Sequence, residues 1–296
     1  MKVGIIGLGK MGQAIAQRLL NDNHVVYGFD INNDVLKMFE KHGGTPVHSL
    51  KDLVKSVDIV WLMIPAGELI DKTLDIIKPL ITTQIIVDGG NSKYTDSIRR
   101  ATLCSESGIA YLDCGTSGGL AGCKQGFCLM VGGDKKAFDT IVSVLKSIAA
   151  PEGYAYVGSS GTGHYVKMIH NGIEYALLQS YAEGFNLLKN GEFKDLDLAQ
   201  IAGLWEHGSI VRSWILTLLH GVLEKDQQLK SISGKVAESG MGRWTVELAE
   251  KEKIPVPLIQ KALEIRKESQ KSGGDYATKL VALLRNVFGG HAAKKL

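Results

Sequence analysis

The sequence predicts a protein of the α/β class, in which a doubly wound sheet is followed by an all-helical C-terminal domain. In the first part of the chain, short β-branched runs bounded by glycine alternate with helix-like stretches, which is typical of parallel strands joined by crossover helices. After about residue 160, long segments with helical periodicity follow, and no run reads as a strand. With 296 residues, of which 45% are hydrophobic, the chain can bury two cores. We therefore predict domains at 1–160 and 161–296.

The predicted strands alternate with helices and come in the order KVGIIGL, HVVYGFD, DIVWLMI, QIIVDGG, AYLDCG and CLMVGG. Between the first of them, the periodicity predicts helices at 13–20, 34–42, 69–78 and 92–107. In the second part, the predicted helical segments are 163–190, 196–220, 242–252, 257–271 and 275–287.

Charge and cysteine usage narrow the class of protein. The net charge is +3 with no block of like charges, so nucleic acid and membranes are poor partners, while a small anionic substrate remains open. The four cysteines form no C-x-x-C pair and no metal-ligand spacing, so we predict no metal site and a reducing, cytoplasmic setting. No stretch has the length of a membrane span or the pattern of a signal peptide.

A glycine motif follows the first predicted strand. The run GIIGLGKMGQAI places Gly7, Gly9 and Gly12 in a G-x-G-x-x-G pattern that opens a helix. Gly7 allows a tight turn, Gly9 lets a pyrophosphate approach the backbone, and Gly12 permits close packing of helix on strand. The N–H groups at the start of that helix favour a phosphate. Asp30 ends the next strand, 18 residues after Gly12. The glycine motif and this acid together predict a Rossmann-type dinucleotide-binding domain.

Asp30 also indicates which dinucleotide binds. A carboxylate at this position accepts a hydrogen bond from a ribose 2′-hydroxyl and repels a 2′-phosphate. The next residues, Ile31, Asn32 and Asn33, supply no cation that would hold such a phosphate. NAD is therefore favoured over NADP. The competing interpretation is that Asp30 only forms a turn.

The stretch GHYVKMIHNGIEY, residues 163–175, carries polar side chains in an otherwise apolar run. On a helix, Lys167, His170, Asn171 and Glu174 fall within one arc. On the opposite side, where we expect a core, lie Val166, Ile169, Ile173 and Ala176. The polar stripe is either a solvated face or one wall of a cleft, and the neighbouring dinucleotide domain favours the cleft.

With these motifs, the chain resembles the decarboxylating 6-phosphogluconate dehydrogenases, and in particular their shorter, typically NAD-using branch. The resemblance runs from GLGKMG to RNVFGGH. TSGGLAGCKQG is similar to the family's Ser-Gly-Gly substrate loop, and GHYVKMIHNGIEY to its catalytic helix. The tail at 285–291 has the family's R-x-x-F-G-x-H pattern. One departure is Ser239 before GMGRW, where longer relatives have a lysine, and Arg243 is an open substitute for that cation.

The resemblance implies a set of site residues. As cofactor contacts it implies Gly7, Leu8, Gly9, Lys10, Met11, Gly12, Asp30, Ile31, Asn32, Ile64, Pro65, Ala66 and Asn91. As substrate contacts it implies Asn91, Ser117, Gly118, Gly119, His170, Asn171, Tyr175, Arg266, Arg285 and His291, the last four at the phosphate end. In the family the Arg/His tail reaches a neighbouring subunit's site, which implies a homo-oligomer, dimer or tetramer.

The implied reaction is the oxidative decarboxylation of 6-phosphogluconate to ribulose 5-phosphate, a step of the pentose phosphate pathway and of gluconate use. Oxidation of the 3-hydroxyl gives a β-keto acid, which loses CO₂ through an enediol. Neutral Lys167 can accept the hydroxyl proton and, once protonated, stabilise the enediolate without a metal ion. Glu174 can then protonate carbon 1, while His170 and Asn171 position hydroxyls.

Two other functions remain open at this point. Related β-hydroxyacid dehydrogenases act on small hydroxy acids without decarboxylation, but they tend to have Lys-x-x-Asn-Asn where this chain has His170 and Asn171. A non-catalytic NAD sensor could share the fold, although the chain retains both the base and the acid. For the phosphate end, Arg266 could instead belong to an exposed helix ion pair, and Arg285 to a frayed C-terminus.

Overall fold

The structure is a computed structural model that describes residues 1–293. The chain divides into two compact units, Met1–Met168 and Ile169–Leu296. Among the described residues, no helix is long and apolar enough to cross a bilayer.

The first unit is built on one sheet. Within residues 1–168, the strands are β1 (Lys2–Ile6), β2 (Val25–Phe29), β3 (Thr45–Pro46), β4 (Ile59–Leu62), β5 (Ile85–Asp88), β6 (Tyr111–Ser117), β7 (Phe127–Gly133) and β8 (Ala149–Gly158). They pair in the order β3-β2-β1-β4-β5-β6-β7-β8. Neighbouring strands are parallel, except that β7 runs antiparallel to β6. The predicted α/β class with a doubly wound sheet is therefore confirmed.

Helices cover both faces of this sheet. They are α1 (Lys10–Asn21), α2 (Asn33–Lys41), α3 (Leu50–Ser56), α4 (Glu68–Ile77), α5 (Tyr94–Ser105), α6 (Gly122–Gln125), α7 (Lys135–Thr140) and α8 (Val142–Ile148). Alternate residues of β4 belong to different cores. Ile59 and Trp61 pack with residues of α1, and Val60 and Leu62 pack with residues of α3 and α4. Burial on both faces explains why the strand reads as a continuous apolar run.

The predicted strands are all present, but the prediction missed β3, β8 and the antiparallel direction of β7. β3 has only two residues. β8 contains Pro151 and Gly153, which read as strand breakers. It lies at the edge of the sheet, where a proline that donates no hydrogen bond is tolerated. The prediction also missed the short helices α3, α6, α7 and α8.

The second unit is helical, and no described residue after β8 forms a strand element. Its helices are α9 (Thr162–Asn190), which starts in the first unit, then α10 (Leu198–Glu206), α11 (Trp214–Lys225), α12 (Met241–Glu252), α13 (Pro257–Ser272) and α14 (Tyr276–Gly289). The single segment predicted at 196–220 is wrong, because the chain leaves α10 before Gly208, whose φ is +78°. Ser213 then begins α11 by accepting from the Leu216 amide.

One prediction about α9 is wrong. Val166 and Ile173 were expected to face the core, yet they are 37% and 52% exposed, whereas Lys167 and Tyr175 are 5% and 3% exposed. The physical reason is that Gly115 and Gly242, which have no side chains, leave room for Lys167 and Tyr175 to pack against neighbouring elements.

Candidate active site

The predicted cofactor and substrate residues of the first unit follow neighbouring strands. Residues 7–12 follow β1, Asp30 follows β2, residues 64–66 follow β4, Asn91 follows β5, and residues 117–119 end β6. Because these strands are parallel and adjacent, their carboxyl ends meet at one edge of the sheet. Ligands of open α/β sheets bind at this edge.

The glycine loop has the geometry of a pyrophosphate cradle. Gly7 adopts φ +94°, where a Cβ would lie 2.5 Å from the carbonyl oxygen of Met63. A Cβ on Gly12 would overlap the carbonyl oxygen of Gly7, so helix α1 packs directly on the turn. In front of Gly9, nothing in the described part of the chain lies within 4 Å of a built Cβ. The first turn of α1 has no acidic residue and no side-chain cap among residues 1–293, so its N–H groups fit a bound phosphate.

Asp30 holds the glycine loop against the end of β2. Its Oδ2 accepts from the Leu8 amide at 2.8 Å and its Oδ1 from the Asn32 amide at 2.9 Å. Asp30 therefore does stabilise the turn. It can still contact a ribose, because each carboxylate oxygen has a further lone pair. Ile31, the next residue, is 95% exposed.

One face of β6 carries two residues that contact helix α9 and a third that begins the predicted substrate loop. Asp113, Gly115 and Ser117 alternate along the strand and therefore point to the same side. The Asp113 carboxylate accepts from the amides of Gly161 and His164, at 2.7 and 2.9 Å, and so caps the start of α9. Asp113 was not among the predicted site residues, although an acid in the middle of a buried strand is itself a signal of a specific hydrogen-bond partner.

Gly115 brings α9 onto the strand. A Cβ here would overlap that of Lys167 and would lie 2.7 Å from the carbonyl oxygen of Gly163. This close approach buries Lys167 to 5% exposure, so the interpretation of a solvated lysine is wrong. Next to it on the same helix, His164 is fully buried with its Nδ1 2.7 Å from the Ser97 hydroxyl. The start of α9 is thus fixed by the strand beneath it.

Farther along α9, the helix presents the other predicted residues. His170 Nδ1 lies 3.0 Å from the side-chain oxygen of Asn171. Glu174 is half-buried, two turns after Lys167.

Tyr175 and Arg266 form the core of the predicted phosphate end. The Arg266 guanidinium stacks on the Tyr175 ring at 3.3 Å, and a Cβ on Gly242 would overlap that same ring. Arg266 is only 2% exposed, and its Nη1 and Nη2 have no hydrogen-bond partner among residues 1–293, nor has the Tyr175 hydroxyl. Burial, with the nearby charge of Arg285, lowers the Arg266 pKa to about 10. The exposed ion-pair interpretation of Arg266 is therefore wrong.

Arg285 joins this cluster from helix α14. It is 7% exposed, which excludes a frayed terminus, and burial lowers its pKa although the nearby Tyr175 and Glu174 oppose that shift. His291 follows the end of α14 at an exposed position, where its carbonyl accepts from the Asn286 side chain at 2.7 Å.

Arg243, the open substitute for the missing lysine, is on α12. It is half exposed and lies 3.5 Å from the carboxylate of Glu238. Tyr175, Arg266 and Arg285 thus lie close together, whereas the partner of Arg243 is the acid Glu238.

The sheet order, the glycine cradle and the acid after β2 define a dinucleotide-binding protein of the Rossmann type. Residues 2–161 match the NAD binding domain of 6-phosphogluconate dehydrogenase, and residues 163–281 match the C-terminal domain of the same enzyme. The chain belongs to the 6-phosphogluconate dehydrogenase family.

Individual relatives agree with this assignment. The NAD(+)-dependent, decarboxylating 6-phosphogluconate dehydrogenase of Haloferax volcanii is 43% identical over 297 residues, with 98% of each chain covered. An enzyme of the same description from Bacillus subtilis is 34% identical over 89% of this chain, but only 60% of that enzyme is covered. The chain is therefore similar over its length to a short member of the family.

Solved structures show the same fold. Plasmodium falciparum 6-phosphogluconate dehydrogenase superposes with a TM-score of 0.83 at 28% identity, covering 92% of this chain and 62% of that one. The chain thus spans less than two thirds of this longer relative. Mycobacterium tuberculosis 3-hydroxyisobutyrate dehydrogenase superposes with a TM-score of 0.75 over 97% and 98% of the two chains. At 21% identity, that likeness shows the fold alone.

Proposed function

We propose that this protein catalyses the NAD-dependent oxidative decarboxylation of 6-phosphogluconate to ribulose 5-phosphate and CO₂. The observation that carries the proposal is the pair of buried guanidiniums at Arg266 and Arg285. A phosphate dianion carries two negative charges that two such cations can balance, whereas the carboxylate of a small hydroxy acid carries one. The unsatisfied Nη atoms of Arg266 and the Tyr175 hydroxyl are donors that phosphate oxygens can use.

Lys167 is proposed as the general base. Its amine would accept the proton of the 3-hydroxyl, and NAD held by the glycine loop and Asp30 would supply the hydride acceptor for the same carbon. The protonated amine then donates to the new carbonyl oxygen and stabilises the enediolate while CO₂ leaves. The contact of α9 with Gly115 supports this role, because it restricts a flexible side chain before the substrate arrives. Since the cation is the lysine itself, we expect turnover to survive a metal chelator.

Glu174 is proposed as the acid that protonates carbon 1 of the enediol. It is on the same helix as the base, and the seven-residue separation sets them about 10 Å apart along the axis. His170 and Asn171 are proposed to bind hydroxyl groups of the sugar acid, together with Ser117, Gly118 and Gly119. The glycine loop and Asp30 are proposed to bind the adenosine diphosphate half of NAD, and the loops after β4 and β5 to lie near its nicotinamide.

A homo-oligomer, dimer or tetramer, forms part of the proposal. Val166, Ile173 and Leu177 recur on one side of α9 and are 37%, 52% and 45% exposed. Such an apolar stripe is one that a second copy of the chain can cover. Light scattering tests this directly, and a monomer at working concentration would refute it. A cytoplasmic location is proposed on the four free cysteines.

The test of the reaction is turnover of 6-phosphogluconate with NAD and NADP in parallel, followed by the absorbance of the reduced cofactor and by captured CO₂. One CO₂ per reduced cofactor, with faster turnover of NAD, is the expected result. Activity on a small unphosphorylated hydroxy acid in place of 6-phosphogluconate would assign the chain to the β-hydroxyacid dehydrogenases instead.

A further inference from the structure

A buried arginine links the two loops to which the nicotinamide end of the cofactor is assigned. Arg100 is on helix α5 and is 1% exposed. Its Nη2 donates to the carbonyl oxygen of Gly67 at 2.9 Å, and its Nη1 to the hydroxyl of Ser92 at 3.2 Å. Gly67 directly follows residues 64–66 after β4, and Ser92 directly follows Asn91 after β5.

The loop after β5 is held on both sides of Asn91. Asp88 is fully buried at the end of that strand, and its Oδ1 accepts from the Gly90 amide at 3.1 Å. Its Oδ2 accepts from the Ser92 hydroxyl at 2.7 Å and from the Tyr111 hydroxyl at 3.0 Å. The residues before and after Asn91 are therefore fixed to one carboxylate, while Asn91 itself is exposed at the edge of the sheet.

The charge of Arg100 is balanced by two acids. Its Nε donates to Asp71 Oδ1 at 2.8 Å in the first turn of α4, and its Nη1 lies 3.6 Å from Asp88 Oδ2. Each of the two loops thus offers one hydrogen-bond acceptor to the same guanidinium, and the helix or strand next to each loop adds an acid. A planar group with several donors can span these partners at once, whereas a lysine amine cannot.

We propose that Arg100 is a positioning residue that sets the separation of the loops after β4 and β5, and thereby the place of the nicotinamide. The proposal rests on the assignment of residues 64–66 and Asn91 to the nicotinamide end. The glycine loop and Asp30, which hold the adenosine diphosphate half, make none of these contacts. Loss of the link should therefore affect one half of the cofactor and leave the other half in place.

The experiment compares Arg100→Lys with wild type for two ligands, NADH and ADP-ribose, which lacks the nicotinamide. Lysine keeps the charge beside Asp71 and Asp88 but loses the link. We expect the Kd for NADH to rise on the order of tenfold and kcat to fall on the order of a hundredfold, because a misplaced reacting group is costly. The Kd for ADP-ribose should stay within about twofold of wild type, since hydrogen bonds to the glycine loop are unchanged.

Arg99→Lys is the matched control. Arg99 precedes Arg100 and bonds the same Asp71, with both distances 2.9 Å, but its contacts include neither loop and it is half exposed. Both affinities of this control should match wild type. Equal weakening of NADH and ADP-ribose in Arg100→Lys, or no weakening of either, would overturn the proposal.

A second variant covers the case in which Arg100→Lys does not fold. Ser92→Ala removes one end of the link and keeps the buried charges, and the same selective loss of NADH affinity is expected. Neither binding measurement uses a sugar acid, so the result stands even if wild type fails to turn over 6-phosphogluconate, an outcome that concerns the proposed function alone.

Discussion

The guanidinium carbon of Arg266 lies over the ring of Tyr175, 3.3 Å from its centre, and both Nη atoms lack a hydrogen-bond partner among the described residues. Burial lowers the Arg266 pKa to about 10, so folding weakens the charged form relative to the unfolded chain, although the guanidinium is still charged at neutral pH. The cost of burying this charge is fully present below pH 10 and shrinks as the pH rises above it.

Arg266→Met should therefore stabilise the free protein and damage substrate binding. Methionine retains much of the apolar contact with Tyr175 and removes the desolvated charge, which should raise Tm by about 2–4 °C for each kcal/mol recovered. The KM for 6-phosphogluconate should rise about 10–100-fold, since charge-assisted hydrogen bonds to the phosphate are lost. Thermal unfolding and steady-state kinetics measure the two effects.

Lys267→Met is the control for this change, because Lys267 is the next residue on α13 and is exposed. It should change neither Tm nor KM appreciably. If Arg266→Met lowers Tm and leaves KM unchanged, Arg266 is a structural residue and the phosphate assignment is wrong.

Inorganic phosphate should raise the Tm of the wild-type protein and compete with the sugar acid. An anion that binds the folded chain alone stabilises it by RT ln(1 + [L]/Kd), about 2.7 kcal/mol at a hundredfold excess over Kd. The effect should be present near neutral pH and fade as the pH rises through about 10, where free Arg266 loses its proton. The test is a Tm series in phosphate against chloride at equal ionic strength. An equal shift in Arg266→Met would contradict the assignment.

Gly115→Ala should reduce activity far more than a surface change does. Its Cβ would overlap Lys167 and would lie 2.7 Å from the carbonyl oxygen of Gly163, so α9 must move. We expect a loss of about 1–3 kcal/mol in the free energy of unfolding and on the order of a hundredfold in kcat. Denaturant unfolding and kinetics measure both.

Gly184→Ala provides the contrast on the same helix. No described atom lies within 4 Å of the Cβ it adds, and alanine favours the helix by about 0.5–1 kcal/mol. This variant should be slightly more stable and fully active. Similar kcat values for the two alanine variants would show that the contact of Lys167 with β6 does not matter for the reaction.

The double change Asp30→Ser and Ile31→Arg should shift the cofactor preference toward NADP. The carboxylate that repels a 2′-phosphate is removed, and position 31 is 95% exposed, so an arginine is accommodated without loss of packing. The ratio of kcat/KM for NADP to that for NAD should rise about 10–100-fold. Asp30→Ser with Ile31→Gln, which adds no charge, should give a smaller rise. An unchanged ratio in the arginine variant would mean that another residue selects the cofactor.

The sequence was sufficient for the main elements of the fold because their signals are local. Glycine-bounded apolar runs and helical periodicity depend on near neighbours in the chain, and both domains follow from them. The direction of β7 was not predictable in this way, since a buried strand has the same composition whether it runs parallel or antiparallel. β8 was hidden by Pro151 and Gly153, which are tolerated only because the strand is at the edge.

Candidate site residues could be named from the sequence where residue type and spacing indicate a chemistry, but not where the contacts come from distant parts of the chain. The exposed side of α9 shows the limit, because Val166 and Ile173 read as core positions by periodicity alone. Arg100 carries no local signal, as its partners Gly67 and Ser92 come from other loops. Burial of Arg266 could not be read from its charged neighbours in sequence either.

The alternation along β6 has a consequence for how this chain can change over evolutionary time. The cap on α9, the clearance for Lys167 and the substrate loop all depend on Asp113, Gly115 and Ser117 pointing the same way. Insertion or loss of one residue between them would turn part of this set toward the core face, where Cys114 now packs. Along β6 this chain can therefore exchange side chains, but it cannot gain or lose a residue between Asp113 and Ser117 without losing part of this arrangement.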